Sequence, residues 1–263
     1  MMNYLRAVYT IWYRDLLRFW HDKMRIVGSV TMPLLFLFVF GSGLSARMGS
    51  LGPGVDFTQF IFPGIIGMTV LMSSFMAGVS VVWDREFGFL KEVLVAPISR
   101  AAVAMGKALG AATIALIQGM IIMLFAPLIG VSLTVWTVLA LLPLMFLLAV
   151  SVGSLGILIA TRIRSMEAFQ AVMQMLMFPM VFLSGVFFPL DGLPSWMGTL
   201  VKLNPVTYGV APIRQVVLTE TAGQTFSISV FGHTMSILEN VGVMAVFGTT
   251  MILLAMWSFG NQE

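Results

Sequence analysis

KALGAATIALIQGMIIMLFAPLIGVSLTVWTVLALLPLMFLLAVSVGSLGILIATR, residues 107–162, holds 54 consecutive uncharged residues between Lys107 and Arg162. A membrane-crossing helix needs about 20 residues. The run is therefore too long for one span, and it divides into two at Gly130-Val131-Ser132. A charge at mid-bilayer costs about 2.5–3.5 kcal/mol on insertion scales, so the other gaps between charges locate further spans. There are 21 uncharged residues between Arg25 and Arg47, 27 between Asp56 and Asp84, 23 between Glu167 and Asp191, and 23 between Glu239 and Glu263. Six spans are expected, at 26–46, 57–83, 108–130, 133–161, 168–190 and 240–260.

Composition agrees with that reading. Of 263 residues, 59% are hydrophobic and 10% charged, where a soluble domain carries about 25% charged residues. A soluble globular protein, a disordered chain and a nucleic-acid binder working through basic patches are all excluded. With no cysteine there is no disulfide framework, thiolate nucleophile or Cys-ligated zinc. His21 and His233 are the only imidazoles. With the N-terminus in the cytoplasm, 11 basic residues fall inside and only Arg47, Lys202 and Arg214 outside, which places both ends in the cytoplasm. No cleavable signal peptide is expected, because the apolar run beginning at Ile26 is too long and lacks a small-residue cleavage site. Pro33, Pro63, Pro127, Pro143 and Pro179 fall within hydrophobic stretches and read as tolerated kinks, or for Pro179 as a bend lining a pathway.

Residues 1–25 read as an interfacial helix: Leu5, Tyr9, Trp12, Leu16 and Phe19 form its apolar face, with Arg14, Arg18, His21 and Asp22 opposite. Residues 84–100, DREFGFLKEVLVAPISR, mix both signs of charge and place Phe87, Leu90 and Leu94 on one helical face before Pro97 ends it. That pattern fits the groove of a soluble partner, or a solvated loop. Residues 191–214 are cut by Asp191, Lys202 and Arg214 into half-span runs, which fits an external helix–turn–helix pair dipping into the outer leaflet. The polar stretch within 215–239 reads as an external loop.

Chemistry is sparse. Gly106-Lys107 is followed by Ala108, so there is no phosphate loop, and neither G-x-S-x-G nor H-E-x-x-H occurs. Every acidic residue lies at or beyond an expected span end, which argues against ion coupling. Gly106-x-x-x-Gly110 matches a small-residue packing pattern, a frequent chance match that here contains Lys107. Ser73, Ser74 and Gln118 read as interhelical hydrogen-bonding groups, with contact to a cargo as the alternative. Met173, Met175, Met177, Phe178, Met180 and Phe182 in the fifth apolar stretch form either an adaptable binding wall or lipid-facing and interhelical packing.

Taken together, these segments resemble the ABC-2 family of ABC-transporter permease subunits, its drug- and lipid-export-like branch in particular. The most specific runs are FLSGVFFP (182–189), Leu193-Pro194, LNPVTY (203–208), and DREFGFLKEVLVAPISR followed by Gly106-Lys107. The resemblance spans essentially the whole chain. It implies an all-α membrane protein of six transmembrane helices with an N-terminal interfacial helix, a cytoplasmic coupling helix and an external re-entrant helical pair, as in type V ABC exporters.

By that resemblance the chain is a non-catalytic permease that pairs, as a homodimer, with two separate ATP-binding subunits. It has no cofactor of its own, since ATP and magnesium belong to the partner. Arg85, Glu86, Phe87, Gly88, Leu90, Lys91 and Glu92 would meet the ATPase, with 162–167 as a smaller contact. The second and fifth spans would border the path, giving Phe62, Met68, Met173, Met177, Phe178 and Phe182 as path residues. A hydrophobic or amphipathic cargo (drug, lipid or lipid-linked glycan) would be exported across a bacterial inner membrane. A scaffold that recruits a soluble partner without transport, or an ion-coupled transporter, are the alternatives.

Overall fold

The computed structural model describes residues 2–43, 50–52, 55–87, 99–163, 165–190, 192–218, 228–230 and 233–260. The protein is an all-α membrane protein. Helix α1 (Met2–His21) ends at Asp22, whose side chain accepts the Arg25 amide at 3.0 Å and caps α2 (Lys23–Leu35). A π-helical turn, Phe36–Phe40, follows Pro33 by one turn and continues the same rod to Gly43. Next come α3 (Phe57–Glu86), α4 (Arg100–Met123), α5 (Val135–Arg162) and α6 (Met166–Phe182). Two short helices, α7 (Ser195–Leu203) and α8 (Pro205–Val217), precede α9 (Ile237–Gly260). Two antiparallel ladders complete the description, Ser50–Gly52 with Val55–Asp56 and Ser229–Val230 with His233–Thr234.

Among the described residues, five helical stretches are long and apolar enough to cross a membrane: Lys23–Gly43, α3, α4, α5 and α9. Helix α6 has 17 residues. At a rise of about 1.5 Å per residue it covers about 25 Å, short of a hydrocarbon core of about 30 Å. Its apolar run continues to Leu190, but the helix stops because the chain turns back through Gly185, held at φ +76°, where a side chain would be strained. Helix α4 starts at Arg100, well before Lys107, because that lysine is paired inside the protein and does not break the helix. Pro127 lies in the 3₁₀ turn Ala126–Ile129, which closes at Gly130.

Helix α3 is the hub, touching α2, α4, α5, α6 and α8, while α9 packs on α5, α4 and α8. Close approach of α3 and α5 depends on two glycines: a Cβ at Gly78 would lie 2.5 Å from the Gly156 carbonyl oxygen. Small residues serve here as soluble cores use large ones, because lipid tails offer no hydrophobic gain for helix association. Polar pairs add direction. Gln118 Nε2 donates to Ser29 Oγ at 2.8 Å, joining α4 to α2, and Thr161 and Ser258 hydroxyls meet at 2.7 Å between α5 and α9. Ser74 instead bonds within α3, to the Val70 carbonyl.

Candidate functional site

Three consecutive residues at the end of α3 point in three directions, since each helical residue turns the next by about 100°. Asp84 faces α1 and α4. It accepts Lys107 Nζ at 2.6 Å and Arg14 Nη2 at 2.9 Å, with Arg18 Nη1 4.0 Å away. Lys107 is only 1% exposed; it also donates to Ser80 Oγ at 2.7 Å and lies 3.8 Å from Asp15 Oδ2. Arg14 bridges to Asp15 Oδ1 at 2.9 Å. Burial alone would lower the Arg14 pKa, but the Asp15 charge and the Asp84 hydrogen bond outweigh it, and the guanidinium is held above its ordinary range.

Arg85 points to α5, donating Nη1 to the carbonyls of Ala160 and Ile163 at 3.1 and 2.8 Å. A cation there answers the unpaired carbonyls and partial negative charge of a helix C-terminus. Glu86 points to α6 and accepts the Met166 amide at 3.0 Å, the complementary arrangement at a helix N-terminus. One short run of sequence therefore ties α3 to α1, α4, α5 and α6. Phe87, next along, is 78% exposed. Gly88, Leu90, Lys91 and Glu92 lie outside the described residues.

Helix α1 reaches this junction because α4 makes room for it. A Cβ at Gly106 would sit 2.9 Å from Ile11 Cβ, and one at Gly110 would sit 3.3 Å from Asp15 Cβ. The Gly106-x-x-x-Gly110 pattern is thus the seat of α1, and Trp12 Nε1 fastens it with a 2.9 Å bond to Thr113. The packed face is Ala7, Ile11 and Phe19, which are buried, whereas Leu5 and Tyr9 of the expected apolar face are exposed. The spacing of large apolar residues does not mark the face that meets α4, whereas the small-residue pair on α4 does.

The expected path residues divide. Met68, Met177, Phe178 and Phe182 line one cavity of about 490 Å³, together with Met32, Phe36, Met72, Gln174, Val181 and Phe187. Phe62 and Met173 do not line it; both are buried in the helical core. The cavity sits between α2, α3 and α6, and Gln174 is its one polar side chain among the described lining. Charge-gap reasoning did not find Met32, Phe36, Met72 or Gln174. Periodicity on a single helix cannot say which face meets a neighbouring helix.

The opposite end of α3 is built differently. Phe60 stands 24 residues before Asp84, about 36 Å along the helix axis. Arg214 of α8 is 1% exposed, places its Cζ 4.2 Å above the Phe60 ring and donates Nη2 to the Gly185 carbonyl. Its Nε has no hydrogen-bond partner among the described residues. Nearby, Asn204 Nδ2 donates to the Met180 carbonyl at 2.8 Å and Thr207 Oγ1 to the Leu183 carbonyl at 3.3 Å. The runs FLSGVFFP and LNPVTY are therefore two halves of one arrangement: hydroxyl and amide groups of the second cap the unwinding end of α6 in the first.

Known proteins are similar in sequence to most of this chain. The ycf38 protein of Cyanophora paradoxa, named as a transport permease, is 30% identical over 237 residues, covering 87% of this chain and 80% of its own. The inner membrane transport permease YadH of Escherichia coli K12 is 27% identical over 220 residues, covering 81% of this chain and 84% of its own. Nodulation protein J of Rhizobium leguminosarum bv. trifolii is 25% identical over 226 residues, covering 84% and 80% respectively. Residues 6–218 match the family model described as ABC-2 type transporter, a stretch that takes in α1, the junction, the cavity and both capping runs, so the chain is a multi-pass membrane transport permease belonging to the ABC-2 type transporter family.

Proposed function

We propose that the chain is the membrane subunit of an ATP-driven exporter, working as two permease copies with two separate ATP-binding subunits. In this reading α6 counts as a sixth span, α7 and α8 form an external re-entrant pair, and both termini lie in the cytoplasm of an inner membrane. ATP and magnesium bind the partner, and this chain hydrolyses nothing. The segment opening at Asp84 is the coupling element, and Phe87, Gly88, Leu90, Lys91 and Glu92 meet the ATPase. Arg85 and Glu86 act one layer deeper, transmitting movement of that segment to α5 and α6. The single observation that carries this reading is the junction itself. A push delivered just beyond Glu86 is shared at once among α1, α4, α5 and α6 through bonds of 2.6–3.1 Å. Such a linkage moves packed helices as near-rigid bodies.

Flipping inward and outward states from 1:99 to 99:1 takes about 5.5 kcal/mol of differential binding, which ATP-driven closure of the partner subunits supplies. Cargo is hydrophobic or amphipathic, matching a wall of methionine and phenylalanine. The test is reconstitution with the cognate ATPase in vesicles. ATP-dependent export is the expected result; transport by this chain alone, or transport driven by an imposed ion gradient without ATP, rejects the reading. Phe87→Asp should abolish ATPase pull-down while membrane insertion stays intact, and unchanged pull-down removes Phe87 from the contact.

A further inference from the structure

The apolar cavity has one polar side chain among its described lining, supplied by α6. Gln174 lines the cavity, and both it and Gln170, one turn earlier, are exposed on the same helix. Glu167 begins the row beside the Met166 amide that Glu86 caps. The spacing 167, 170, 174 keeps all three on one helical face. From Met166, Gln170 lies about 6 Å along the helix and Gln174 about 12 Å. Neither glutamine has a hydrogen-bond partner among the described residues. An amide among apolar groups is unfavourable unless it is hydrogen-bonded, and the surrounding Met32, Phe36, Met68, Met177 and Phe178 provide no strong donor or acceptor. The row is a graded path, charged at the junction end, amide in the middle, and apolar beyond.

Resting on the transport reading above, we propose that Gln170 and Gln174 form a polar ramp for an amphiphile with an uncharged, hydrogen-bonding head. The head (a hydroxyl, amide or sugar) descends from the junction end to Gln174, and the tail fills the Met/Phe cavity. A glutamine amide both donates and accepts, as hydroxyl and amide heads do. A carboxylate or ammonium head satisfies only half of it and brings a charge that no described lining residue balances. The volume of about 490 Å³ lies within the usual range for small-molecule sites, about 300–1,000 Å³. The occupant assigned here is cargo of this class, and surrounding lipid or a second copy of α6 are the outcomes that the test below tells apart from it.

The test uses the full chain in nanodiscs without any ATPase, so that binding is read apart from transport. Three photoreactive probes share one tail and differ only in head: glycerol ester, carboxylate and quaternary ammonium. Labelling is mapped by mass spectrometry to peptides containing Met68 and Met177. The glycerol-headed probe should label most strongly, and Gln174→Leu should reduce its labelling about fivefold, the size of one net hydrogen bond. Gln174→Asn should keep most of the labelling. Gln170→Leu, outside the cavity lining, should slow labelling without changing its final extent. Equal labelling by all three heads, or an unchanged Gln174→Leu, overturns the proposal. So does a Gln174→Cys chain that cross-links fully to a second copy and excludes every probe, which would assign the row to a copy–copy contact. Head-selective labelling in a complex that shows no ATP-driven export would remove the transport reading and leave this site standing. Export that ignores the head group would remove this site alone.

Discussion

The two ends of α3 solve the same problem with opposite chemistry. At Asp84, side chains of both signs from three helices meet one another, and each cation has a carboxylate within 4.0 Å. At Phe60, one buried guanidinium is held by a ring face and a backbone carbonyl, while neutral Asn204 and Thr207 do the remaining stitching. The first arrangement is unforgiving, because removing one partner strands a charge in a dry place. The second relies on weaker groups that can be exchanged one at a time. The junction therefore behaves as a fixed node, and the Arg214 end as a set of separable caps.

The largest expected effect follows from that contrast. Asp84→Ala leaves Lys107 with the Ser80 hydroxyl and, as its nearest described carboxylate, Asp15 at 3.8 Å, a loss of about 3–5 kcal/mol. Thermal unfolding in detergent should show it as a fall in Tm of about 10 °C for a chain of this size. Asp84→Leu combined with Lys107→Met should recover most of the loss, because no lysine charge is left stranded. A single variant as stable as wild type would break the idea of a node. At the other end, Arg214→Met should cost about 2 kcal/mol, the worth of a desolvated ring contact and one charged hydrogen bond. Arg214→Lys should be worse than Met, since it keeps the charge and loses the planar stack. The reverse order in the same melts would mean that the arginine has an acidic partner and that the two ends are alike. The smallest effect belongs to Gly106→Ala, about 1 kcal/mol from a crowded methyl. Its signature is local: a cysteine placed at Ile11 should react faster with a membrane-impermeant thiol reagent as α1 lifts, with α9 undisturbed.

Much of this molecule is legible from the spacing of its charges, and the misreadings have a common cause. Treating each charge as a boundary works where charges face water or headgroups. It fails at Lys107 and Arg214, because a charge may be interior when a partner or a ring offsets desolvation, and no local pattern announces a partner 23 residues away, as Asp84 is from Lys107. The family resemblance gives Arg85 and Glu86 as contacts to the ATPase but not their partners within the chain, which are helix ends: the Ala160 and Ile163 carbonyls for Arg85 and the Met166 amide for Glu86. The capping runs were recognisable as a family pattern, yet their reason (Asn204 and Thr207 reaching the last carbonyls of α6) needed the fold. The cavity was half visible: composition singled out Met177 and Phe178, but the opposing wall from α2 depended on which faces meet.

The π turn at Phe36–Phe40 has a mechanical meaning for that wall. Each of its hydrogen-bonded rings closes one residue later than in the α-helix on either side. Phe36, which lines the cavity and packs on Phe187 at 5.6 Å, is the residue standing at its edge. The wall that the first membrane helix presents to the chamber at Phe36 thus follows the wider ring of the π turn and departs from the 3.6-residue period of its flanks.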